Sequence, residues 1–193
     1  MPSTDFATAE RMLAARVSPD ALGHSLRSAE TAAELARIYG VDVQKARLAG
    51  LLHDWDRELG QEELLGRARA LGVPVTAVDE AVPYLLHARV GAADLKEAFP
   101  DLEPEVLQAV ERHTLGSPEM SDLDRVAYLS DTIEPGRRYP GADELRTAVG
   151  AVPLDELFAL AYVASVTYVV AGRRHMHPDT VAVWNALVAR DVR

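Results

Sequence analysis

Residues 48–57 read Leu48-Ala49-Gly50-Leu51-Leu52-His53-Asp54-Trp55-Asp56-Arg57. An apolar helical run here ends in two adjacent side chains of metal-competent type, His53 and Asp54. A neutral imidazole and a carboxylate side by side can face one cation, or the carboxylate can bridge two. Alone the pair says little. It gains weight because His24 precedes it and His87, His113 and Asp131 follow, each near an expected helix end. About one helix and one connection separates each ligand from the next. Ligands on successive helices converge in the centre of a helical bundle, where such proteins build their metal sites.

The flanking sequence supplies that bundle. Ser18-Pro19 is an N-cap followed by proline at the first helical position, and the helix it opens runs to Tyr39 and stops at Gly40. Asp42 caps the next helix, which carries Ala46, Ala49, Gly50 and His53, and its small residues allow a second helix to pack closely. A short amphipathic helix is expected over 5–16 and a polar one over 61–71, closed by Gly72. Residues 73–82 read as a loop, with Pro83 opening the turn that carries His87. Helices follow over 89–99 and 103–113. Ser121 and Asp124 form a capping-box pattern, and their helix reaches Asp131 before Glu134-Pro135 breaks it. Two or three helices complete the chain, the last starting near Pro178. No stretch alternates with period two between turn signals, so the expected architecture is one all-α domain with a metal site at its centre. Its core spans about 19–135, with helices from 142 to 190 packed on it.

Composition narrows the function. The chain has 193 residues and 48% hydrophobic content, enough for a substantial core. Its formal charge of −10 argues against nucleic acid or an anionic membrane as partner. A phosphorylated small molecule remains compatible, since bound cations reverse the local field. Without cysteine, disulfides, thiolate metal sites and thiol nucleophiles are excluded. The amino-terminal residues show no basic-then-apolar leader pattern, which fits a cytoplasmic home. The most apolar stretch, 157–172, is shorter than a spanning helix requires and contains Tyr162, Ser165, Thr167 and Tyr168, so it reads as a buried core helix. A homodimer is compatible with that apolar helix.

Four imidazoles and two carboxylates suit iron, manganese, cobalt or zinc better than calcium, magnesium or copper(I). Two such ions sharing Asp54 would acidify a bridging water and offset the charge of a phosphoryl group. Arg57, one turn past His53, and Arg137 and Arg138, just after Asp131, offer positive charge for a leaving phosphate. His175 and His177 read as a helix entry and stay outside the site. Trp55 reads as packing.

Taken in order, several segments together resemble one family. They are His24-Ser-Leu-Arg-Ser-Ala-Glu-Thr-Ala32, His53-Asp-Trp-Asp-Arg57, Leu86-His87-Ala88 with Gly91-Ala92, Arg112-His113-Thr114 with Gly116, and Ser130-Asp131-Thr-Ile-Glu-Pro135 with Arg137 and Pro140-Gly141. His177-Pro-Asp-Thr-Val-Ala-Val-Trp-Asn185 continues the match. The H…HD…D pattern is that of HD-domain phosphohydrolases. The fuller set resembles the bacterial YqeK family, symmetrical bis(5′-nucleosyl)-tetraphosphatases that cut diadenosine tetraphosphate into two ADP. The resemblance covers about residues 19–190. It implies one metal on His24, His53, Asp54 and Asp131 and a second on Asp54, His87 and His113, with iron as the family's usual metal. It implies Asp54 and Arg57 as catalytic residues, and Arg57, Thr114, Gly116 and Arg137 as phosphate contacts. Arg57 replaces a family lysine, and Trp55, Ser117 and Thr132 also depart from the usual residues, which points to a shifted affinity or dinucleotide preference. Two alternatives stay open: another HD-superfamily phosphodiesterase or nucleotide phosphatase, and a non-catalytic helical module that holds metal and nucleotide.

Overall fold

The computed structural model describes residues 4–191, so Met1, Pro2 and Ser3, part of the stretch read as free of a leader, lie outside it. Among the described residues there are eleven α-helices, one 3-10 turn and no strand. The helices are α1 (Phe6–Ala14), α2 (Pro19–Tyr39), α3 (Val43–Leu52), α4 (Gln61–Ala70), α5 (Ala77–Ala81), α6 (His87–Ala98), α7 (Pro104–Arg112), α8 (Asp122–Ile133), α9 (Ala142–Ala148), α10 (Leu154–Ala171) and α11 (Pro178–Asp191). The 3-10 turn, Pro83–Leu86, leads into α6.

The caps explain the boundaries. Ser18 accepts from the Ala21 amide, Pro19 follows it, and Gly40 closes α2 in the left-handed region at φ 73°. Asp42 accepts from the Gln44 and Lys45 amides at the start of α3. Ser121 and Asp124 form the full reciprocal box on α8.

α2 and α3 meet along small residues. Ala29, Ala32, Ala33, Ala46 and Ala49 are all fully buried. At Gly50 an added Cβ would lie 2.8 Å from the Ser28 carbonyl oxygen and 2.9 Å from the Ala29 Cα. Only glycine admits this approach, and it draws His53, three residues on, toward α2 and His24. α8 packs on both helices and sets Asp131 beside them. α6 begins at His87 and α7 ends just before His113, so these two candidate ligands also come from helix ends.

Two expectations need correction. Residues 73–82 are not all loop: Thr76 and Asp79 form a second capping box that opens α5. The 157–172 stretch is not a buried core helix. α10 is long and apolar enough to cross a membrane by length and composition, yet only 28% of it is buried. Leu157, Phe158, Ala161 and Tyr162 face the core, while Leu160, Val163, Tyr168 and Val170 are exposed. Apolar character runs round the helix, so composition did not reveal which face packs.

Candidate metal centre

The six sequence-derived ligands come together. Around Asp54 Oδ2 stand His53 Nε2 at 3.2 Å and His24 Nε2 at 3.5 Å. His24 Nε2 is also 3.0 Å from Asp131 Oδ1 and 3.1 Å from His53 Nε2. The other oxygen, Asp54 Oδ1, faces His87 Nε2 at 3.3 Å and His113 Nε2 at 3.6 Å, and those two nitrogens are 3.2 Å apart. One carboxylate thus serves two imidazole pairs, one with each oxygen.

The remaining ring nitrogens are used up elsewhere. His53 Nδ1 donates to the Gly50 carbonyl at 2.8 Å, His87 Nδ1 to the Tyr84 carbonyl at 2.7 Å, and His113 Nδ1 to the Val110 carbonyl at 2.7 Å. His24 Nδ1 donates to Glu134 Oε1 at 3.1 Å. These bonds hold the proton on Nδ1 and leave each Nε2 lone pair directed inward, the arrangement that metal-binding histidines require. Glu134 is itself 2% exposed and accepts from Arg27 Nε at 2.6 Å and from the Gly136 amide at 2.5 Å. Sequence reading missed the part played by Glu134 and by the Tyr84 carbonyl. The Glu134-Pro135 break was the one visible signal for the former, and a carbonyl carries no sequence signal.

The cluster's negative charge calls for a cation. Burial opposes charge on His53, but the Asp54 and Asp131 carboxylates outweigh it and push the imidazole up to about 10, so without metal this ring takes a second proton, which a bound cation displaces. Burial also works against ionised Asp54, yet His53, His113 and His87 hold its carboxyl well below the usual range. Burial likewise opposes ionised Asp131, while His24, His53 and Arg137 hold that carboxyl low. His113 is pushed down by burial, which favours the neutral, ligating form. Asp54 Oδ1 is buried with no hydrogen-bond partner. A buried acceptor left so, facing two inward imidazoles, is a group that a cation satisfies. His24, His53 and Asp131, and also His53, Asp54 and His113, bring ligand atoms within 4.8 Å of one another. The residues present fit a divalent metal.

The predicted phosphate contacts divide. Arg57 donates to Asp54 Oδ2 at 2.7 Å and lies 5.6 Å from the Tyr84 ring. Arg137 pairs with Asp131 Oδ1, donates to its carbonyl at 2.8 Å, and comes within 3.4 Å of His24 Nε2. Thr114 Oγ1 is 3.0 Å from His113 Nε2 and 3.2 Å from His87 Nε2. Gly116 is different: at φ 76° it makes the turn after Thr114, and Tyr162 and Val183 occupy the space beside its Cα. Arg138 lines a separate surface cavity with Thr31, Glu34 and Ile38. His177 is buried, but against Asp79 at 3.4 Å, outside the cluster as expected. Trp55 packs against Phe99.

An all-helical frame that delivers four inward imidazoles and two carboxylates to one centre defines an HD-type metal-binding domain. The HD domain family pattern matches residues 21–136. A protein of Halalkalibacterium halodurans named "Bis(5'-nucleosyl)-tetraphosphatase, symmetrical" is 34% identical over 168 residues, covering 86% of this chain and 87% of its own. A Bacillus subtilis protein of the same name is 31% identical over 166 residues, covering 86% of this chain and 88% of its own. The crystal structure of a "predicted HD superfamily hydrolase involved in NAD metabolism" from Clostridium acetobutylicum superposes with a TM-score of 0.90 at 32% identity, covering 97% of this chain and 99% of that one. The chain belongs to the YqeK family of HD-domain proteins.

Proposed function

We propose that this protein is a symmetrical bis(5′-nucleosyl)-tetraphosphatase, a metal-dependent hydrolase that divides diadenosine tetraphosphate into two ADP. The observation that carries the reading is Asp54, whose two oxygens face separate imidazole pairs and whose Oδ1 is buried without a partner. The family names of the relatives at 34% and 31% identity support the substrate.

On this reading two ions are held, one by His24, His53, Asp54 and Asp131 and one by Asp54, His87 and His113. Iron is the expected metal. When bound, the pair supplies an acidified water and positive charge against the phosphate oxygens. The chain's own residues do the rest. Arg57 and Arg137 sit at the two carboxylate ligands, where they orient the polyphosphate and balance its charge. His53, His87 and His113 are at most 3% exposed, so bulk water is kept from behind the reacting group. Water adds to one of the two central phosphorus atoms and loses a proton. The bond from that phosphorus to the central bridging oxygen breaks, and the second ADP leaves with that oxygen.

The test is the product pattern. Purified metal-loaded protein should release ADP alone from diadenosine tetraphosphate, and Asp54→Ala should abolish turnover while helical content persists. ATP with AMP as products would overturn the symmetrical cut. No turnover by the native protein would favour a metal- and nucleotide-binding module.

A further inference from the structure

The turn between α8 and α9 sends two side chains to the metal centre. Glu134, its first residue, accepts from His24 Nδ1 at 3.1 Å. Arg137, three residues on, pairs with Asp131 and comes within 3.4 Å of His24 Nε2. Both therefore bear on the His24 side of the centre. On the other side, the His87 and His113 rings are oriented by the Tyr84 and Val110 carbonyls, which lie outside this turn.

The turn is held by a residue of the next helix. Arg146 of α9 donates from Nε to the Ile133 carbonyl at 2.9 Å. Its Nη2 donates to the Glu134 carbonyl at 2.7 Å and to the Arg137 carbonyl at 2.8 Å. The last two carbonyls belong to the very residues whose side chains reach the centre. Ile133 and Glu134 stand at the C-terminal end of α8, where carbonyls have no partner within the helix. Within 134–137 the backbone bonds to itself once among the described residues, from the Arg137 amide to the Glu134 carbonyl at 2.9 Å. A guanidinium presents its donors in a planar fork, so one side chain can hold three carbonyls at set angles. The remaining donor, Nη1, bonds to Asp143 at 2.6 Å, but that carboxylate is 91% exposed and the pair contributes little.

We propose that Arg146 is a positioning residue of the metal centre. By fixing the Glu134 and Arg137 carbonyls it sets the angle of the His24 ring and the place of the arginine at Asp131, and so governs the ion on that side. This rests on the two-ion reading above. Among the described residues Arg146 makes no hydrogen bond to a ligand side chain, so its influence passes through the turn and spares the Asp54–His87–His113 side.

Three variants separate this from a general loosening. Arg146→Met keeps the apolar stem and removes the three carbonyl bonds. Asp143→Ala removes only the exposed ion pair. Tyr39→Phe removes the hydroxyl that bonds the Gly150 amide and the Val152 carbonyl just beyond α9, leaving the turn intact. Each metal-loaded protein is exposed to rising chelator, and the ions kept per chain are counted by elemental analysis. Loss of a ligand's orienting partner commonly weakens metal binding by roughly 10–100-fold. Arg146→Met should therefore give up one ion at about a tenth or less of the chelator the native protein withstands, and keep the other as the native protein does. Asp143→Ala and Tyr39→Phe should match the native protein. A folded Arg146→Met that keeps both ions as tightly as the native protein overturns the proposal. Equal weakening of both ions overturns it too, as does a matching loss in Tyr39→Phe. A native protein that holds one ion or none fails the two-ion reading itself, and the proposal falls with it. If Arg146→Met does not fold, Arg146→Lys, which keeps the charge but cannot span three carbonyls, is put through the same assay and judged by the same outcomes.

Discussion

Asp54 and the four imidazoles around it were legible in the sequence because each is a residue type that binds metal, placed one helix from the next. What orients them was not. Three of the four histidines are fixed by a carbonyl three residues earlier, a contact made by backbone and therefore silent in side-chain patterns. The fourth depends on Glu134, 110 residues away in the chain. Glu134 accepts the His24 Nδ1 proton and also ties down Arg27, so it sets both the tautomer and the angle of that ring. Replacing such a partner commonly weakens metal binding by roughly 10–100-fold. Glu134→Ala should therefore lose metal to a chelator at a concentration the native protein withstands, with helical content unchanged. Equal retention by both proteins would mean that His24 needs no such support.

At the scale of elements, the caps at Ser18, Asp42 and Ser121 could be read because side-chain capping is local and its signature falls in a few residues. α5 escaped notice because its five residues lie between Pro74 and Pro83, where turn signals dominate. α10 was misread for another reason: hydropathy records how apolar a helix is, and burial depends on which face finds a neighbour. The α2–α3 contact governs the site most directly. Gly50 lies against the backbone of Ser28 and Ala29, which cannot rotate away as a side-chain tip would. Gly50→Ala must push the helices apart and carry His53 away from His24. A destabilisation of about 1–3 kcal/mol is expected, read as a lower unfolding midpoint. Loss of metal from the His24 side should accompany it. Helix propensity favours alanine over glycine, so an unchanged or raised midpoint would show that the two helices do not need this closeness.

At the scale of the whole molecule, two buried carboxylates, Asp56 and Asp94, tie four segments together through partly exposed arginines. Arg16 pairs with Asp56 and approaches Asp94 at 3.8 Å, and Arg67 pairs with Asp94, linking the α1–α2 connection, the end of α3, α4 and α6. Burial raises the Asp56 carboxyl from 3.8 to about 6, against the pull of Arg16 and with Asp94 adding to the rise. Asp56 Oδ2 is buried with no partner, in keeping with that direction. Because the folded pKa lies above the unfolded one, the native state keeps this proton where the unfolded chain has released it. The contribution of Asp56 to stability is then full below about pH 4, falls as pH rises toward about 6, and stays lost above that, by up to about 3 kcal/mol. In metal-free protein, the stability difference between native and Asp56→Asn should change across that window and be flat outside it. Parallel curves in urea unfolding from pH 4 to 7 would refute this. Such a network was invisible in the sequence, where four charged residues on four segments look like surface.

The central claim, that Asp54 bridges two metal positions, is tested most directly by metal content per chain in the purified protein, by elemental analysis, alongside His87→Ala and His113→Ala. The account predicts close to two ions in the native protein and about one in each variant, with the His24–His53–Asp131 side still loaded. One ion or fewer in the native protein, unchanged by either substitution, would contradict it.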